Sequence, residues 1–129
     1  MPEALELVIP AESAQLSELR SRIDAWAGPY LPEPALEDLK LAITEACANA
    51  MVHSGTEEIR VSVRLEDACV EVVVEDDGIY RELLTHVKDY DSDAHRGLML
   101  MAALVDDLTL HRGTETSVGT TVHMRKCLF

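Results

Sequence analysis

The run Glu45-Ala46-Cys47-Ala48-Asn49-Ala50-Met51-Val52-His53, followed later by Val74-Glu75-Asp76-Asp77-Gly78, decides how the rest of the chain is read. The first run lies in a segment, from about Ala35 to Ser54, in which Leu36, Leu39, Ile43, Ala46 and Ala50 form one apolar stripe. That stripe predicts an amphipathic helix. Residues four apart on a helix share a face, so Glu45 and Asn49 project together and His53 continues their line. A carboxylate beside a carboxamide can orient a proton acceptor and hold a hydrated divalent cation. Asp76 closes a strand just before Gly78, where the backbone can turn close to a ligand. Together the two elements predict a nucleotide site between a helix and a sheet.

Working outward, Leu5-Glu6-Leu7-Val8-Ile9 reads as a short strand closed by Pro10. Leu16, Leu19, Ile23 and Trp26 fall at helical spacing from about Glu12 to Trp26, and Gly28 and Pro29 end that helix. Pro29 to Pro34 carries three prolines and is expected to be a stiff, non-helical connector. Ser54-Gly55 stops the second helix. Ile59, Val61, Val63 and Leu65 alternate with polar residues, Glu66-Asp67 supply a turn, and Val70, Val72 and Val74 return as the paired strand. Leu83, Leu84 and Val87 suggest a short helix, and Lys88 to His95 a loop. A further helix is expected to open at Gly97, with Leu98, Met101, Leu104 and Val105 as its apolar face. Leu108 and Leu110 begin a strand, Gly113 to Gly119 a turn, and Thr120 to Lys126 the last strand. The expected fold is α+β: a two-layer sandwich whose mixed, mostly antiparallel sheet is covered on one face by helices, in a single domain over 1–129.

The 129 residues are 47% hydrophobic and 27% charged, which is enough apolar material for one core. Aromatics are only 4%, so that core must be aliphatic. A formal net charge of -13 disfavours direct contact with nucleic-acid phosphates. It suits a basic protein partner or solubility alone equally well. Three cysteines, Cys47, Cys69 and Cys127, are odd in number and widely spaced, which argues against a disulfide framework and against a zinc cluster. Cys47 and Cys69 read as small buried side chains. No apolar run is long enough to span a membrane. Glu3 and Glu6 interrupt any signal-peptide pattern, so a reducing, cytoplasmic setting is expected.

Taken one at a time, the polar features also fit plain structural roles. Asn49 is a poor helix-interior residue, costing a few tenths of a kcal/mol, and could simply lie on a solvated face. Asp-Asp-Gly is a good turn after a strand. Gly97 at a helix start would let a phosphate approach free backbone N–H groups, and Arg96 could pair with it. Loop freedom and solvation are the plain alternatives. His53 can complement the helix dipole, and Gly119-Thr120-Thr121-Val122 can be ordinary strand sequence. The order of these features along one chain is far more specific than any of them alone.

That order carries a resemblance. The run from Glu45 to His53 resembles the N-box of the gyrase/histidine-kinase/MutL ATPase superfamily, and Val74-Glu75-Asp76-Asp77-Gly78 its first glycine box. Arg96-Gly97-Leu98-Met99-Leu100-Met101 resembles the second box, and Gly119-Thr120-Thr121-Val122 the final glycine-threonine element. The opening strand and helix, and Ala103-Leu104-Val105-Asp106-Asp107-Leu108, are most similar to the bacterial anti-sigma-factor serine kinases of stress response and sporulation. The resemblance implies a Bergerat-type fold that binds ATP or ADP with Mg2+.

By the same resemblance, Asn49 would ligate the magnesium ion and Glu45 would be the general base. Asp76 would accept a hydrogen bond from the adenine amino group, and Gly78 would allow the ring to approach. Gly97 would open the phosphate-facing helix, flanked in its box by Arg96 and Leu98, and Thr120 would support the adenine end. The implied partners are a sigma factor and an anti-anti-sigma protein phosphorylated on serine; a homodimer stays open. The alternatives are a binding module of the same fold with weak or no turnover in a partner-switching pathway, or a kinase that activates a phosphatase. Two departures stand out. Tyr80 occupies the place of a second glycine in the first box, and His95 that of a glycine ahead of Gly97. Both are expected to limit lid closure over the phosphates, and so turnover more than affinity.

Overall fold

Burial alternates along the strands, and this alternation sets the two layers. The computed structural model describes residues 4–54, 56–78, 93–111 and 119–127. In β2 (Glu58–Glu66), Ile59, Val61 and Val63 are buried, while Arg60, Ser62 and Arg64 face the other way. In β3 (Cys69–Asp76), Val70, Val72 and Val74 continue the buried face. In β5 (Thr120–Cys127), Val122 and Met124 do so. With β1 (Leu5–Pro10) and β4 (Asp107–His111), these strands form a five-stranded sheet in the order β1-β2-β3-β5-β4. All four pairings are antiparallel, and no parallel pairing occurs among the described strands.

Helices cover the buried face. A short 3-10 turn, Ser13–Gln15, leads into α1 (Leu16–Ala27), which buries Leu19, Ile23 and Ala27. The longer α2 (Glu33–Asn49) buries Leu36, Leu39, Ala42, Ile43, Ala46 and Cys47 against the sheet. The core is aliphatic, as the scarcity of aromatics requires. α2 begins earlier than expected. Pro32 is its N-cap and Pro34 lies in the first turn, where the missing N–H has no helical partner to lose. The stiff connector therefore ends at Pro32. After Asn49 the helix widens into a π turn, Ala50–Ser54.

The open face of the sheet is polar. In register, Arg64 faces Glu71, Glu71 faces Arg125, and Arg125 faces Asp107, a row of alternating charge across four strands. Arg64 pairs with Glu71 at 3.2 Å, and Arg125 pairs with Asp107. A slip by one residue would break this row and turn the valines outward. The β2–β3 turn lies one residue later than expected, at Asp67 and Ala68, both with positive φ (52° and 62°). That geometry matches a tight two-residue hairpin turn.

Two further corrections concern α3 and the cysteines. α3 (Asp93–Leu104) starts four residues before Gly97, so Gly97 lies in its second turn and not at its opening. At its other end, Lys126 donates to the Leu104 carbonyl at 2.8 Å and reaches Asp38 at 3.5 Å, tying β5 to α3 and α2. Cys69 and Cys127, expected to be unpaired, are register partners on β3 and β5 and are joined by a disulfide. They lie 58 residues apart in sequence, so only the strand pairing reveals them. The suggested helix around Leu83–Val87 and the Gly113 end of the last turn lie outside the described residues.

Candidate functional site

Three strand and helix ends meet in the candidate site. Asp76 is the last residue of β3 and is 3% exposed. Its carboxylate accepts from the Gly78 N–H at 2.8 Å, so the turn after the strand orients it. Thr120, its register partner at the start of β5, is also buried and donates its hydroxyl to the Gly78 carbonyl at 3.2 Å. Gly119 precedes it with φ +120°, and a Cβ there would lie 2.9 Å from the Asp76 carbonyl oxygen. Only glycine fits both the backbone angle and the space. Sequence reasoning placed Gly119 in a motif without seeing this contact. The next residue out, Asp77, is held by the Thr56 hydroxyl and by Arg60.

The second half of the site is the end of α2. Asn49 is 5% exposed, and its Nδ2 has no hydrogen-bond partner among the described residues. A buried amide left unmatched costs about 1–3 kcal/mol. Such a group fits a site that completes it with a ligand. Gly97 of α3 packs directly on this side chain: a Cβ on Gly97 would lie 2.5 Å from Asn49 Nδ2 and 3.0 Å from its Oδ1. Gly97 thus serves Asn49, a role the sequence did not suggest. Leu98 follows, half-buried against the core.

Cys47 links the two halves. It is fully buried on α2, and burial first, then the Asp76 carboxylate, pushes its thiol up to about 12. The end of α2 and the end of β3 therefore face each other. Glu45 sits one turn before Asn49, half-buried, and no hydrogen bond or ion pair engages its carboxylate among the described residues. The structure groups Asp76, Gly78 and Thr120 at one point and Asn49 and Gly97 at another. It adds no contact for Glu45. Arg96 and His95 lie in the first turn of α3, and His53 in the π turn; their side chains lie outside the described residues, as does Tyr80. The helical backbone at His95 asks for no positive φ, which removes the expected backbone restriction there.

A cleft elsewhere on the molecule does not include this site. The cleft between α1 and α2, lined by Ser17, Ser21, Asp24, Lys40 and Thr44 among others, contains none of the candidate residues. Its lysine is occupied by Asp24 and Glu37. Among the described residues no cluster of three or more His, Cys, Asp or Glu could hold a metal ion, and no helix is long and apolar enough to cross a membrane.

The Histidine kinase-like ATPase domain family matches residues 9–126, which include every candidate residue. The chain belongs to this family. Within it, relatives resemble the chain over 72% to 96% of its length. The serine-protein kinase RsbW of Bacillus velezensis is 32% identical over 141 residues, covering 96% of this chain and 85% of its own. The anti-sigma F factor of Bacillus licheniformis is 30% identical over 104 residues, covering 72% of this chain and 70% of its own. RsbW of Staphylococcus aureus is 26% identical and covers 95% of this chain. These similarities place it with the anti-sigma-factor serine kinases of the histidine kinase-like family. Among solved structures, the histidine kinase domain of the blue-light-activated histidine kinase of Erythrobacter litoralis EL346 has a TM-score of 0.59 at 22% identity. It covers 93% of this chain, which spans 62% of that domain, and it bears on the fold alone. The fold is the α+β Bergerat type.

Proposed function

We propose that residues 1–129 act as one ATP-binding unit: an anti-sigma factor and protein serine kinase that binds a sigma factor and phosphorylates an anti-anti-sigma protein on serine. The carrying observation is the Asp76–Gly78–Thr120 arrangement at the ends of β3 and β5, together with the buried Asn49 amide at the end of α2, whose Nδ2 has no hydrogen-bond partner among the described residues. The names of the RsbW and anti-sigma F relatives support the choice of partners.

In this reading Asp76 accepts from the adenine amino group. A carboxylate oxygen can accept more than one hydrogen bond, and the Gly78 N–H already orients this one. Gly78 and Gly119 let the base approach the strand ends, and Thr120 fixes the Gly78 carbonyl. Asn49 Oδ1 would hold Mg2+, and its Nδ2 would donate to a phosphate oxygen. Magnesium suits this sparse donor set because it retains water and takes much of its shell from phosphates. When bound, the ion neutralises charge on the transferring phosphoryl group. Arg96, Gly97 and Leu98 flank the phosphate side, with Gly97 keeping room for Asn49. Glu45 takes the proton from the attacking serine hydroxyl as general base.

The test is phosphoryl transfer from labelled ATP to a serine-bearing antagonist. Glu45→Gln keeps shape and hydrogen bonding but removes the base. It should retain ADP and lose transfer by about 10²–10⁴-fold. Equal rates in wild type and variant would remove Glu45 from this role. Nucleotide binding and sigma-factor capture without transfer in the wild type would favour the binding-module alternative.

A further inference from the structure

Cys69 opens β3 and Cys127 closes β5, and the two face each other in register. Asp76 and Thr120 are the facing pair at the opposite end of the same ladder. The cysteines therefore sit as far along these strands from the candidate site as the ladder allows. By the alternation of β3 and β5 they lie on the open, polar face of the sheet, not in the helix-covered core. Cys69 is 7% exposed and Cys127 is half-buried, so Cys127 is the accessible member. Arg125 lies two residues before Cys127 on the same face with its guanidinium paired to Asp107, and the Cys127 N–H donates to the Asp106 carboxylate at 2.7 Å. The thiolate is the form that attacks a disulfide.

We propose that Cys69 and Cys127 are a reversible thiol–disulfide site, closed by a low-molecular-weight disulfide, that staples the last strand to the sheet according to ambient redox state. The step balances. The Cys127 thiolate attacks one sulfur of the small disulfide, whose S–S bond breaks and releases one thiolate. The Cys69 thiol gives up its proton and attacks the Cys127 sulfur of the mixed disulfide. The protein S–S bond forms and the second small thiolate leaves. The protein dithiol is oxidised by two electrons, and one small disulfide is reduced to two thiols. The closed bond restricts the unfolded chain across the 58-residue separation, which raises stability. The cysteines and Asp76 lie at opposite ends of the ladder, so the expected effect is on stability and on the hold of β5. This inference does not depend on nucleotide binding.

The experiment equilibrates the full chain in glutathione buffers from fully reduced to disulfide-dominated. It then quenches, denatures and counts alkylatable thiols by intact mass. The disulfide-rich samples should retain a single alkylatable thiol, the buried Cys47, with no glutathione attached. They should also melt about 5–10 °C above the reduced samples. The shift should vanish in Cys127→Ser and, independently, in Cys69→Ala. Three alkylatable thiols in the disulfide-rich buffer, a persistent glutathione adduct, a covalent dimer, or equal melting midpoints would each overturn the proposal.

Discussion

Asn49 and Gly97 share one space: the side chain of the first fills the volume that any side chain on the second would need, with 2.5 Å between Asn49 Nδ2 and a Cβ built at position 97. The obstructing atom is the end of a rotatable side chain, so the fold has a way to yield. Gly97→Ala should displace the Asn49 amide while leaving α3 intact. Alanine gains up to about 1 kcal/mol of helix propensity over glycine, which offsets part of the crowding. The expected outcome is a melting midpoint close to wild type, with magnesium-dependent nucleotide affinity lowered about tenfold or more, as in Asn49→Ala. In an Asn49→Ala background the same change should be stabilising. A double-mutant cycle by thermal melting and calorimetry measures the coupling.

Lys126 tests the fold apart from the site. Its ammonium holds the Leu104 carbonyl at the end of α3 and pairs with Asp38 of α2. Lys126→Met keeps the apolar stem and removes both contacts. Unfolding free energy should fall by about 1–2 kcal/mol, with ADP affinity unchanged. Denaturant titration beside ADP calorimetry checks both halves of this expectation.

Alkaline pH reports on Cys47. Burial and Asp76 raise its thiol from the ordinary 9.0 to about 12. Its contribution is therefore fully present below pH 9 and is lost as pH rises towards 12, because in that window the unfolded chain binds fewer protons than the folded one. Stability should decline across this range by up to about 1.4 kcal/mol per pH unit from this group. Cys47→Ala should flatten that part of the profile. Superimposable slopes for wild type and Cys47→Ala between pH 9 and 11 would show that the thiol titrates normally.

Much of this fold was legible in the sequence, and the reasons are local. α2 carries an unbroken apolar stripe, and in β2 and β3 an apolar residue recurs at every second position, mostly valine or isoleucine. The start of α3 was not legible, because Asp93-Ala94-His95-Arg96 offer no apolar residue at helical spacing beyond one alanine. The Asp67–Ala68 turn lacks the glycine that would mark its positive φ values. Asp76, Asn49 and Gly78 could be picked out by residue type. Their couplings could not. The contact of Gly119 with the Asp76 carbonyl, the seat of Asn49 on Gly97 and the facing of Cys69 with Cys127 all arise from packing between segments distant in the chain.

The most direct measurement is calorimetric titration of ADP and ATP, with and without magnesium, into wild type and Asp76→Asn. The buried carboxylate oriented by Gly78 is the centre of the proposed adenine contact. A lost charge-assisted hydrogen bond is worth about 1.5–3 kcal/mol. Wild type should bind both nucleotides, more tightly with magnesium, and Asp76→Asn should bind ADP about 10–150-fold more weakly while remaining folded. Absence of any binding heat from wild type at millimolar nucleotide, or equal ADP affinity in a folded Asp76→Asn, would contradict the assignment.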